Sequence, residues 1–223
     1  MVEEYQLKGV EKDEYPTLFS ITQNLMRIYG INKVRVFIRP RFGNAAALSF
    51  FGNYIIIGKP LIAKLNEDEL EGVLSHEFSH LFNRDSFTSL ILSLIFAFPA
   101  LFFYYQIDPQ NPSFPMVTLF FLSFFFMLYG FRVRNWITLN SEIRADREAV
   151  LKTKNPKAMQ SALIKLTTQP LIASKRPSYF SLVIVCFWWL IAYFIGFDHP
   201  HLKERIEYLE FTHKILECNE TAR

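Results

Sequence analysis

The sequence predicts an α+β protein, mainly helical, with a small sheet near its N-terminus and apolar helices in its second half. Three observations carry that expectation. Residues 1–85 mix helical and alternating apolar patterns. Two uncharged stretches follow, each close to the length that crosses a bilayer. The helix just before the first of them contains the pentapeptide HEFSH. With 223 residues, the chain reads as a single domain over 1–223.

From Glu14 to Tyr29, Tyr15, Leu18, Ile21, Leu25 and Ile28 recur at roughly helical spacing, and Gly30 ends the helix. Lys33–Arg39 sets Val34, Val36 and Ile38 against Lys33, Arg35 and Arg39, the alternation of a half-buried strand. Pro40 and Gly43 punctuate the turn after it. Ala45–Phe51 and Tyr54–Ile57 read as two further strands around Gly52–Asn53, a short hairpin signal. A helix is expected from about Asn66, with Asp68, Glu69 and Glu71 in its first turns, running on through Ser75–Leu81.

The composition then changes. No charge occurs between Asp85 and Asp108, so 86–107 is expected to span a membrane, a setting in which Pro99 is tolerated. A second span is expected at 115–131, ending before Arg132. Two buried core helices are the alternative; a two-layer domain rarely hides such helices on all faces. The connecting IDPQNPS has no Lys or Arg, whereas Lys59, Lys64, Arg84, Arg132 and Arg134 flank the other ends. The positive-inside rule thus puts 1–85 and the segment after Arg132 in the cytoplasm. Trp136–Thr153 and Pro156–Thr168 read as polar helices, and His201–Glu217 as an amphipathic one. A third hydrophobic segment, 178–197, has basic residues on both sides and is expected to associate with the membrane without crossing it.

Composition narrows the partners. The net charge is only +3 and no Lys/Arg run forms a stripe, so nucleic acid is excluded as a partner. Apolar residues make up 51% of the chain and Phe alone numbers 24, which points to a lipid bilayer. Cys186 and Cys218 have no metal-type spacing and give no disulfide framework. The opening MVEEYQLKGVEKDEYP is polar and acidic, so no cleavable signal peptide is expected.

HEFSH at 76–80 fits H-E-x-x-H. On a helix, positions four apart share a face, so His76 and His80 can bind one zinc while Glu77 faces the reactive water. A catalytic zinc takes three protein ligands and keeps one position open. SEIRADREA at 141–149 offers Glu142 as the third, with Asp146 one turn on to accept a hydrogen bond from a zinc-bound imidazole. The competing reading of this segment is a charged helix surface, since Arg144, Arg147 and Glu148 are also there.

Several pieces in order now carry a resemblance: GNAAALSFFGNYIIIG, LNEDELEGVLSHEFSHLFNRD, the hydrophobic hairpin, SEIRADREAV, AMQSALIKL and DHPHLKERIEYL. Together they resemble the integral-membrane gluzincins, the family of the HtpX heat-shock protease and the CAAX prenyl endoproteases. The resemblance implies a zincin-type active-site helix, one zinc per chain on His76, His80 and Glu142, Glu77 as general base and Asp146 as the acidic residue behind the ligand Glu. It implies that His199 and Arg205 belong to a distal motif beside the site, His199 as a second oxyanion donor and Arg205 as a positioning group. It implies that Asn44, Ala45, Ala46 and Ala47 form an upper edge strand to which an extended protein or peptide substrate adds. The expected function is zinc-dependent endopeptidase activity at the cytoplasmic membrane surface, in HtpX-like protein quality control. A CAAX-type prenyl-peptide protease and a catalytically silent membrane adaptor are the alternatives.

Overall fold

A computed structural model describes residues 6–11, 13–108, 110–111, 113–168 and 202–221. The segment 178–197 and His199 lie outside the described residues. The described chain forms two compact units: one from residues up to 86, from 141 to 168 and from 202 to 221, the other from 87 to 140.

The first unit carries a four-stranded sheet in the order β1-β2-β4-β3, from β1 (Gln6–Lys8), β2 (Lys33–Arg39), β3 (Ala45–Leu48) and β4 (Tyr54–Gly58). β1 pairs parallel with β2, β2 parallel with β4, and β3 antiparallel with β4 at the sheet edge. The alternation read from β2 is the burial alternation found, with Val34 and Val36 fully inside. Two details differ from expectation. β1 was not read, because three residues leave no period to see. β3 stops at Leu48 instead of Phe51, and Phe51 is fully exposed in the loop beyond. Gly58 ends β4 against the backbone of the 42–44 turn; a Cβ there would collide with the Phe42 carbonyl, so only glycine fits.

Helix α1 (Pro16–Tyr29) ends on Gly30 at φ 65°, a left-handed cap. A short α2 (Lys59–Lys64), with Pro60 in its first turn, went unread in the sequence. Helix α3 (Glu67–Asn83) is the hub of this unit and packs on α1, on β3 and on α6 (Pro156–Thr168). Its start is a capping box: Asn66 Oδ1 accepts from Glu69 N at 2.8 Å and Glu69 Oε2 accepts from Asn66 N at 2.9 Å. Glu69 also takes Ser161 Oγ at 2.6 Å and Lys165 Nζ at 2.7 Å, fastening α3 to α6. Leu70, Leu74, Phe78 and Leu81 join α1 and the sheet in one apolar core. A smaller cluster of Val150, Met159, Leu163 and Leu209 holds α7 (Leu202–Thr221) on α6.

The second unit is a hairpin of α4 (Asp85–Tyr105) and the first part of α5 (Phe114–Thr153). Both helices are long and apolar enough to cross a membrane, and only 6% and 11% of their most apolar stretches are buried. Among the described residues, little covers their apolar faces. Gly130 makes their close approach possible: the Phe96 ring occupies the place of its missing Cβ, with the tilted ring of Phe126 at 5.0 Å between centroids. The separate helix expected over Trp136–Thr153 is instead continuous with the second apolar helix. Nothing between 131 and 153 breaks it, since that stretch holds neither Pro nor Gly.

Candidate metal centre

Helix α3 delivers His76, Glu77 and His80. The helix buries most of its circumference, so even His76 and Glu77 are 8% and 7% exposed. The final part of α5 supplies Glu142 and Asp146 from one face, a turn apart. Helix α7 supplies Arg205.

These side chains converge. His76 Nε2 lies 3.0 Å from His80 Nε2, and Glu142 reaches them at 3.6 and 3.4 Å. Among the described residues, His76, His80 and Glu142 form the group whose ligand atoms all fall within 4.8 Å of one another. Behind them, His76 Nδ1 meets Asp146 Oδ1 at 2.8 Å, and His80 Nδ1 meets Asp85 Oδ2 at 2.7 Å. Each carboxylate is held by an arginine. Arg205 donates to both oxygens of Asp146 at 2.6 Å, and Arg144 Nη2 to those of Asp85 at 2.6 and 2.7 Å.

The charges follow from this geometry. Burial alone would raise Asp146, but the hydrogen bonds from Arg205 and His76 hold it below the ordinary carboxylate range. An ionised Asp146 accepts the Nδ1 proton of His76, leaving the Nε2 lone pair turned to the centre. Burial pulls His80 down, yet hydrogen bonds to Asp85 and Glu142 and the charges of Glu77 and Glu142 push it up to about 10. Two imidazole nitrogens and a carboxylate thus meet with too much electron density and too little positive charge. A proton on His80 relieves part of that, and a bound divalent cation would do so as well. Two His and one Glu are the donor set of a catalytic zinc site, so the residues fit that ion. Burial raises the pKa of Glu77, which the imidazoles beside it only partly offset.

The remaining expected residues are placed unequally. Arg205 is at the site, 3.9 Å from Glu142 through Nη1. Ala45, Ala46 and Ala47 lie in edge strand β3, while Asn44 precedes it. The Asn44 carbonyl accepts from Gly58 N at 3.0 Å, so Asn44 and Ala46 turn their backbone groups to β4 and Ala45 and Ala47 turn theirs outward. Ala47 also bonds the Glu77 carboxylate through its backbone and takes Ser86 Oγ on its carbonyl at 2.9 Å.

Asp85, Arg144 and Glu148 were not read as part of the site. Glu148 accepts from Ser79 Oγ at 2.6 Å and Asn83 Nδ2 at 3.1 Å, so the supposed charged surface of α5 is largely engaged with α3. A carboxylate directly after the last turn of an HExxH helix was the available signal for Asp85.

Comparison with known proteins adds independent findings. The model of Peptidase family M48 matches residues 16–212. The chain is 30% identical over 172 residues to a "Protease HtpX homolog" of Thermoplasma volcanium, covering 73% of this chain and 54% of that protein. It is 30% identical over 174 residues to a "Protease HtpX homolog" of Pyrococcus abyssi, covering 73% and 60%. It is 31% identical over 170 residues to "Protease HtpX homolog 1" of Streptomyces coelicolor, covering 71% and 56%. The chain therefore spans little more than half the length of these relatives. No solved structure matches it.

Proposed function

Because this chain belongs to Peptidase family M48, we propose that it is a zinc-dependent membrane endopeptidase that cleaves polypeptides at the cytoplasmic membrane surface, in HtpX-like protein quality control. The observation that carries the proposal is the convergence of His76, His80 and Glu142 beside a buried Glu77. A zinc ion bound there supplies Lewis acidity, acidifying water and drawing charge from a carbonyl oxygen.

The chain's own residues do the rest. Glu77 is the general base: its raised pKa lets it take a proton from water and return it to the departing amine. Asp146, fixed by Arg205, holds His76 with Nε2 directed at the metal. Arg205 is a positioning group, and His199 is assigned as a second donor to the developing oxyanion. An extended substrate adds to β3, for which the outward-facing residues are Ala45 and Ala47 and not all four of 44–47. At Ala47 the substrate must displace the Ser86 hydroxyl from the carbonyl.

The membrane part of the reading rests on α4 and α5, apolar along bilayer-spanning lengths and mostly unburied. The basic residues at their polar ends support a cytoplasmic peptidase unit.

The test is proteolysis of a generic unfolded substrate by detergent-purified protein. Activity is expected to disappear with a chelator and to return with zinc. Glu77→Gln is expected to keep one zinc and lose cleavage; retained turnover above a few per cent removes Glu77 as the base.

A further inference from the structure

Each imidazole of the donor set hands its Nδ1 to a carboxylate, and each carboxylate is gripped by an arginine. His76–Asp146–Arg205 is one such chain, with contacts of 2.8, 2.6 and 2.6 Å. His80–Asp85–Arg144 is the other, with 2.7, 2.6 and 2.7 Å. The first belongs to the site as the sequence presents it. The second was hidden, and its composition is unusual. Asp85 is not on the His80 helix. It is the first residue of α4, reached through Arg84, which caps α3 in the left-handed conformation at φ 54°. Arg144 comes from α5 and is steered by Glu148, 3.9 Å from its Nε.

We propose that Asp85, held by Arg144, is the positioning residue of His80 and sets the affinity of the site for its metal. The inference rests on the reading of His76, His80 and Glu142 as a zinc site. An imidazole must present a bare Nε2 to bind a cation, and a carboxylate at Nδ1 both selects that tautomer and makes the ring a stronger donor. Asp85 does this for His80 as Asp146 does for His76. Arg144 keeps Asp85 ionised and fixes its rotamer, since one nitrogen touches both carboxylate oxygens. The two chains are not equal. The side chain of Asp146 is 1% exposed and that of Arg205 14%, whereas Asp85 is 19% and Arg144 40% exposed. Solvent competes more for the second chain, so its loss weakens binding less than the loss of the first.

The alternative is a salt bridge that merely ties α4 to α5. Zinc affinity separates the two. The full chain in detergent is stripped of metal, and its zinc dissociation constant is measured by competition with a chromophoric chelator. Asp85→Asn is expected to raise that constant on the order of 10-fold, the low end of the range for such outer partners. Arg144→Gln, at the exposed end, is expected to raise it by a smaller factor, and Arg144→Lys to recover part of the loss. Cobalt(II) in place of zinc should show a shifted visible spectrum in Asp85→Asn. A variant whose metal-free melting temperature falls while its zinc constant and cobalt spectrum match wild type overturns the inference and leaves a structural salt bridge. A wild-type chain that takes up no zinc overturns the metal reading beneath it.

Discussion

Glu142 stands in a segment with four other charged side chains, yet only its carboxylate reaches both His76 Nε2 and His80 Nε2, at 3.6 and 3.4 Å. Glu142→Ala is therefore expected to lose the metal along with activity, because two imidazoles alone hold zinc weakly. Elemental analysis checks this, and a full zinc equivalent in the variant sends the third ligand elsewhere. Glu69 makes a different prediction. Burial would raise its pKa, but Lys165, Ser161 and the Asn66 N–H lower it below the ordinary value. A depressed pKa contributes stability above the unfolded value of about 4.3, and that stability is lost as pH falls through the folded value. Glu69→Gln should then unfold more easily at pH 7, with the gap to wild type closing below about pH 4; an unchanged gap in acid denies the mechanism. His76, Glu77 and His80 were legible because helical spacing alone puts two imidazoles on one face. Asp85 was not, because its approach to His80 depends on a left-handed turn at Arg84, where sequence predicts no glycine.

Among the elements, α3 shows how a polar site survives inside a core. Phe78 and Leu74 are fully buried on one side, and Ser79, His76 and Glu77 are buried on the other, each with partners from α5 or β3. The helix must start in register for this to work, and its capping box fixes the start. Asn66→Ala should cost about 1 kcal/mol of stability, the usual worth of such a cap. It should lower the melting temperature by a few degrees without changing zinc stoichiometry, as calorimetry with metal analysis would show. Helix α1 was legible from its apolar period and glycine stop, α3 from the acidic residues of its first turns, and α6 as a polar helix. The join of the second apolar helix to the polar one was not: a change of composition marks a change of solvent, and a helix needs only an unbroken hydrogen-bond ladder to pass through it.

For the whole molecule, the hairpin of α4 and α5 makes a topological prediction. In a background lacking Cys186 and Cys218, a cysteine at Asp108 should react only with reagents outside the cell, and one at Lys154 only with reagents that enter the cytoplasm. Labelling of both from one side would remove the spans. The peptidase unit has a further property: its chain is not continuous, for residues up to 86 are completed by 141–168 and 202–221. A ribosome makes His76 and His80 before the hairpin, Glu142 after it, and Arg205 later still. The donor set is thus incomplete while the apolar segments are being synthesised, and the clamp on Asp146 closes only when α7 emerges. The order of translation acts as a safety catch, keeping the site unassembled until the helix that carries Arg205 has been made.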